Sequence, residues 1–141
     1  LEDLIVCGRH IGPELARRLQ AEHTPDVGSC ILVIATDLPL DSRQLGRVLR
    51  RGSVGLARMG SFTGHGSGEV FVGFSTANPY DPRDKASVRP GTLFREDNMD
   101  LPFRAMAECT EEAVLNSMVC AGTVTGYNGT VVSSLTSLWA P

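Results

Sequence analysis

Histidine and aromatic residues are scarce in this chain of 141 residues, which has three histidines, one tryptophan and only 6% aromatic residues. His10, His23 and His65 are scattered, and none stands in metal-ligand register with a cysteine. A metal centre is therefore not expected, and neither is a cofactor. Cys7, Cys30, Cys109 and Cys120 form no CxxC pair. We read them as reduced core cysteines in a reducing compartment, which points to the cytoplasm. No segment reaches the ~20 apolar residues of a membrane span. No basic-then-apolar leader precedes the first helix, so no export signal is read. Positive charge is not in excess either: the net charge is −3 and the pI near 5.6, so nothing draws the chain to nucleic acid or an anionic membrane. The arginines that do cluster, Arg43, Arg47, Arg50 and Arg51, read as a solvated helix face.

What is present is the composition of an ordinary globular domain, 42% hydrophobic and 21% charged, with length for one sizeable core. Leu4 to Cys7 is a short apolar run of strand type, and Glu14 to His23 reads as a helix opened by Pro13. Residues 24–28 are expected to form a loop. Cys30 to Ala35 is a continuous apolar, β-branched run, the pattern of a strand covered on both faces. Asp41 and Gln44 form a capping box, and Leu45, Val48, Leu49 and Leu56 then extend one apolar stripe along a helix. Glu69 to Thr76 reads as a second central strand, and the proline-rich segment from Asn78 to Gly91 as an exposed loop. The last helix is expected from Phe103 to Cys120, followed by turn chemistry, with Asn128-Gly129 as a tight turn, and one short strand. Strands alternating with amphipathic helices make a layered α/β fold.

Gly28 and Ser29 stand at the mouth of the first central strand. A hydroxyl is a poor nucleophile until a base takes its proton. No histidine partner is evident, and no GxSxG elbow exists. Cleavage of the Gly28–Ser29 peptide bond would supply a base of another kind, the new terminal amine, whose pKa is about 8. A glycine before the serine lets the hydroxyl approach the preceding carbonyl. On these residues alone, a loop serine satisfying a backbone group remains the ordinary alternative.

Three ordered blocks carry a resemblance: "GSCILVIATDLPLDSRQLGRVLRRGSVGLARMGS", "GHGSGEVFVGFSTAN" and "FRAMAECTEEAVLNSMVCAGTVTGYNG". Together they resemble the self-processing aminopeptidases of the L-aminopeptidase/D-esterase type, which include the β-peptidyl aminopeptidases. The resemblance runs from about Val27 to Gly129. It implies an αββα sandwich, similar to N-terminal nucleophile hydrolases but differently connected. It also implies a precursor that cuts itself before a serine into two chains that stay together. That serine falls on Ser29, and the family's paired serine and glutamate fall on Ser67 and Glu69. In an extended segment residues i and i+2 share a face, so Ser67 and Glu69 can present hydroxyl and carboxylate together. Glu69 is then expected to hold Ser67 and to bind a substrate ammonium.

The resemblance further implies an oxyanion-hole asparagine and a substrate-side tyrosine upstream of the cut, but residues 1–28 contain neither. With a first residue that is not Met, this leads us to expect the C-terminal part of a longer precursor, 1–28 lying upstream of the cut and 29–141 forming the catalytic-serine chain. Such a piece should expose core surface. The implied substrates are short peptides, amino-acid amides or esters, including D- and β-residues. The implied partners are the upstream chain and further copies in a homo-oligomer. Two rivals stand beside this reading. One is an acyltransferase of the ornithine acetyltransferase type, which prefers threonine as nucleophile. The other is a non-catalytic assembly or binding module. A cysteine nucleophile at Cys30 is a lesser idea, without any Cys-His arrangement to support it.

Overall fold

The computed structural model describes residues 1–20 and 28–139. Most of the expected 24–28 loop and the end of the expected first helix lie outside the described residues. A minimal hairpin of β1 (Ile5–Val6) and β2 (Arg9–His10) opens the chain and leads into α1, Gly12–Leu19. Pro13 sits in the first turn of α1, where its missing N–H costs nothing, and Gln20 ends the helix in the left-handed region.

The centre is a parallel pair, β3 (Cys30–Thr36) and β4 (Glu69–Ser75), in register from Cys30↔Glu69 to Thr36↔Ser75. Parallel strands need a crossover, and here it is helical. The apolar stripe expected as one helix is two: α2, Ser42–Leu49, and α3, Gly52–Arg58. The capping box at Asp41 and Gln44 is present in both directions. The break falls at Arg50-Arg51, where the Arg51 N–H bonds to the Val48 carbonyl, one residue short of α-helical spacing. It lets α3 approach closely: a Cβ at Gly52 would strike the Phe71 ring, and one at Gly55 would lie 2.5 Å from the Ala107 carbonyl oxygen.

Helix α4, Asp100–Cys120, starts three residues earlier than the periodicity suggested, with Pro102 tolerated in its first turn. Its Met106, Ala107 and Thr110 are buried. After it come a hairpin of β5 (Val124–Thr125) and β6 (Val131–Val132), and α5, Leu135–Leu138. Asn128 and Gly129 turn that hairpin with positive φ of 63° and 76°, the use foreseen for Asn-Gly.

Two apolar clusters hold these elements. Leu40, Val48, Met99 and Met106 gather Ile34, Leu45, Phe71 and Phe103 between sheet and helices. Val6, Ile11 and Leu15 pack with Leu115, Leu135 and Trp139. In the arginine cluster Arg43 and Arg50 are exposed, as a solvated face would be, but Arg47 and Arg51 are half-buried and three of the four have partners. Arg43 and Arg47 pair with Glu96, and Arg47 and Arg51 lie over the Phe103 ring. Fully buried Gln44 donates to the Phe94 carbonyl and to Glu96. The hydrogen bond from Arg43, then that from Gln44, holds the Glu96 carboxyl below its ordinary pKa. This clamp is complete above the ordinary carboxylate range and loosens as pH falls below it.

One face of the β3–β4 pair is covered by helices; no described element covers the other. Leu32, Ile34, Phe71 and Gly73 are half-buried, whereas Ile31, Val33, Val70, Val72 and Phe74 are each more than half exposed, up to 72% at Ile31. The expectation of strands covered on both faces is therefore corrected for the described residues, which leave one apolar face of the pair exposed. A groove of about 650 Å³ also runs between β3 and α4, lined by Ile31, Val33, Val48, Met106 and Cys109. The four cysteines are free but exposed, not core residues. Cys30 and Cys109 line this groove, where no described element covers them.

Candidate active site

Parallel pairing brings the two serine-bearing segments to one end of the sheet. Ser29 directly precedes β3, and Ser67 and Gly68 directly precede β4. The Cys30 N–H donates to the Gly68 carbonyl at 3.0 Å, extending the ladder past the strand ends. The Gly68 N–H donates in turn to Ser29 Oγ at 3.3 Å. Ser29 is exposed, so its oxygen is accessible while a backbone donor fixes it. A donor aimed at a hydroxyl oxygen also favours the negative charge that grows there as the proton leaves.

Ser67 is half-buried, and its N–H donates to the Gly64 carbonyl at 3.1 Å across a tight turn. Glu69 is half-buried as the first residue of β4. Its Oε1 accepts from Thr63 Oγ1 at 2.7 Å, a partner that sequence reasoning missed. Thr63 is six residues away in an irregular loop, a spacing that no helix or strand period marks. Among the described residues, no hydrogen bond joins Ser67 to Glu69, or either side chain to Ser29. Ser29, Ser67 and Glu69 thus gather at one sheet end without being wired together. The expected direct hold of Glu69 on Ser67 is absent from this arrangement.

Cys30 pairs with Glu69 across the ladder. Desolvation, and then the Glu69 charge, push its thiol above the ordinary value. A thiol held protonated is a weaker nucleophile, which counts against Cys30 as the reacting group. Among the described residues, no group of three histidines, cysteines or carboxylates is placed to hold a metal ion. No helix among them is long and apolar enough to cross a membrane.

The profile of peptidase family S58 matches residues 1–132. The chain belongs to that family. A β-peptidyl aminopeptidase, BapA of Sphingosinicella microcystinivorans, is 37% identical over 94% of this chain and 37% of its own length. The crystal structure of the PH0078 protein from Pyrococcus horikoshii OT3 superposes with a TM-score of 0.80 at 39% identity, covering 95% of this chain and 36% of that one. The L-aminopeptidase D-Ala-esterase/amidase of Ochrobactrum anthropi gives a TM-score of 0.78 at 31% identity, over 95% of this chain and 37% of that one. That enzyme is described as a prototype for the serine aminopeptidases and a new variant among Ntn hydrolase folds. The chain spans well under half the length of each. With the family comes an α/β fold, of which the described residues hold the parallel β3–β4 pair and the helices on one side of it.

Proposed function

We propose that this chain, within its full-length polypeptide, is a serine-type N-terminal-nucleophile aminopeptidase or amidase. Cleavage of the Gly28–Ser29 bond frees the Ser29 amine, which acts as general base toward its own hydroxyl. Ser29 Oγ then attacks the carbonyl of a substrate's first residue, expels the amine or alcohol, and leaves an acyl-enzyme for water to hydrolyse. Ser67 relays the proton or supports the oxyanion, and Glu69 receives the substrate's ammonium. The substrates are short peptides, amino-acid amides or esters, D- and β-residues included.

The observation that carries this reading is the Gly68 N–H on Ser29 Oγ, which sets the candidate nucleophile beside the Ser67–Glu69 segment. Family membership supports the reaction class. The bare sheet face and the groove beside β3 support the upstream chain as a partner, and assembly into a homo-oligomer. Four free thiols support a reducing, cytoplasmic setting.

Intact-mass measurement of the full-length polypeptide is the test. It should yield a chain beginning at Ser29, and Ser29→Ala should stay whole and fail to hydrolyse an aminoacyl p-nitroanilide. A Ser29→Ala protein that is still cut at that bond would overturn the mechanism.

A further inference from the structure

We infer that Thr63 is a positioning residue for Glu69. Its hydroxyl holds Oε1 of the carboxylate and so leaves Oε2 for the substrate's ammonium or the Ser67 hydroxyl. The inference rests on the proposed aminopeptidase reading and adds to it a residue outside the Ser29, Ser67 and Glu69 set.

Three observations carry it. First, the bond is short, 2.7 Å from Oγ1 to Oε1, and its acceptor is a carboxylate, the pairing that gives strong hydrogen bonds. Second, Thr63 adopts a positive φ of 53°, a conformation uncommon for a β-branched residue and kept only where its surroundings impose it. Glycine would take that conformation without steric cost, but it would bring no hydroxyl. Third, the loop anchors Thr63 on its own account. Its N–H donates to Ser61 Oγ at 3.4 Å, the Ser61 N–H donates to the Leu56 carbonyl at the end of α3, and Ser67 closes back on Gly64. The Thr63 backbone is thus tied to α3 through Ser61 on one side and to the β4 entrance through Ser67 on the other. A carboxylate at a strand end has free rotamers; a fixed donor on one oxygen selects among them. That is the condition for a group that must meet a cation in one place.

The experiment uses the full-length, self-cleaved protein and one aminoacyl p-nitroanilide. Thr63→Val keeps the shape and removes the donor, so kcat/KM should fall about tenfold or more, the scale of a hydrogen bond to a charged group. Thr63→Ser should recover most of that loss. Thr63→Gly relaxes the backbone, so it should melt at or above the wild-type temperature while losing activity, the opposite of what a purely structural role predicts. Thr63→Val combined with Glu69→Gln should be little slower than Glu69→Gln alone, since Thr63 acts through that carboxylate. Wild-type kcat/KM in both Thr63→Val and Thr63→Gly, or losses that multiply fully with Glu69→Gln, would overturn the inference. Failure of the underlying reading looks different: wild-type protein would then hydrolyse the substrate no faster than Ser29→Ala, and the Thr63 role would fall with it.

Discussion

Glu69 begins a strand but is tied to a loop, because its carboxylate accepts from Thr63 while its backbone pairs with Cys30. That division separates folding from chemistry at one residue. Glu69→Gln preserves length, shape and the ladder, so the melting temperature should change little. The charge is lost, and turnover of an aminoacyl amide should drop by on the order of 10². A folded, cleaved Glu69→Gln protein with wild-type turnover would remove Glu69 from the site. Ser67→Ala tests the neighbouring hydroxyl. No described residue hydrogen-bonds it, so its loss should cost at most ~1 kcal/mol of stability and yet slow turnover. Cleavage state must be measured for each variant, since both residues stand at the same sheet end as the proposed cut.

Helices α2 and α3 form the crossover that makes β3 and β4 parallel, and their glycines have opposite meanings. Among the described residues, nothing lies within 4 Å of a Cβ built at Gly46, in the middle of α2. Gly46→Ala should therefore stabilise by about 0.5–1 kcal/mol, the helix-propensity difference alone. At Gly55 in α3 the new Cβ would lie 2.5 Å from a backbone carbonyl of α4, and 2.7 Å from Thr110 Cβ. Backbone cannot yield as a side-chain tip can, so Gly55→Ala should destabilise by about 1–3 kcal/mol. Urea denaturation of the two variants should move the midpoint in opposite directions. Equal shifts would mean that α3 does not pack on α4 as closely as described.

For the molecule as a whole, the governing feature is a sheet of two described strands with one bare apolar face. Ile31, Val33, Val70, Val72 and Phe74 form a contiguous patch of the kind that marks an interface or an aggregation site. Beside it, β3 has an edge that no described strand pairs, a template for association with another chain. The 141-residue chain by itself should therefore be poorly soluble or obligately associated, and should bind a hydrophobic dye such as ANS. Sedimentation of that chain decides the matter: a monodisperse, cooperatively melting monomer would contradict it.

Local rules made much of this legible beforehand. The Asp41–Gln44 capping box, Pro13 in the first turn of α1 and the Asn128–Gly129 turn act through neighbours within a few residues, so their partners were in view. Both central strands were foreseen within a residue of their limits, because β-branched apolar runs are local too. The candidate Ser29, Ser67 and Glu69 were named from motif resemblance, not from physics, since a Gly-Ser pair has many uses. What could not be read was whatever depends on distant pairs. The single stripe from Leu45 to Leu56 gave no warning of two helices, because the close approach to Phe71 and Ala107 that suits Gly52 and Gly55 is tertiary. Arg43, Arg47 and Arg51 looked like a solvated face until Glu96 and Phe103 came in from some 50 residues away. Apolar runs cannot announce which face will be covered, so the bare side of β3 and β4 and the exposed cysteines emerged only with the packing. Thr63 was invisible for the same reason: a loop's path, unlike a helix or strand, has no period from which a contact six residues away can be read.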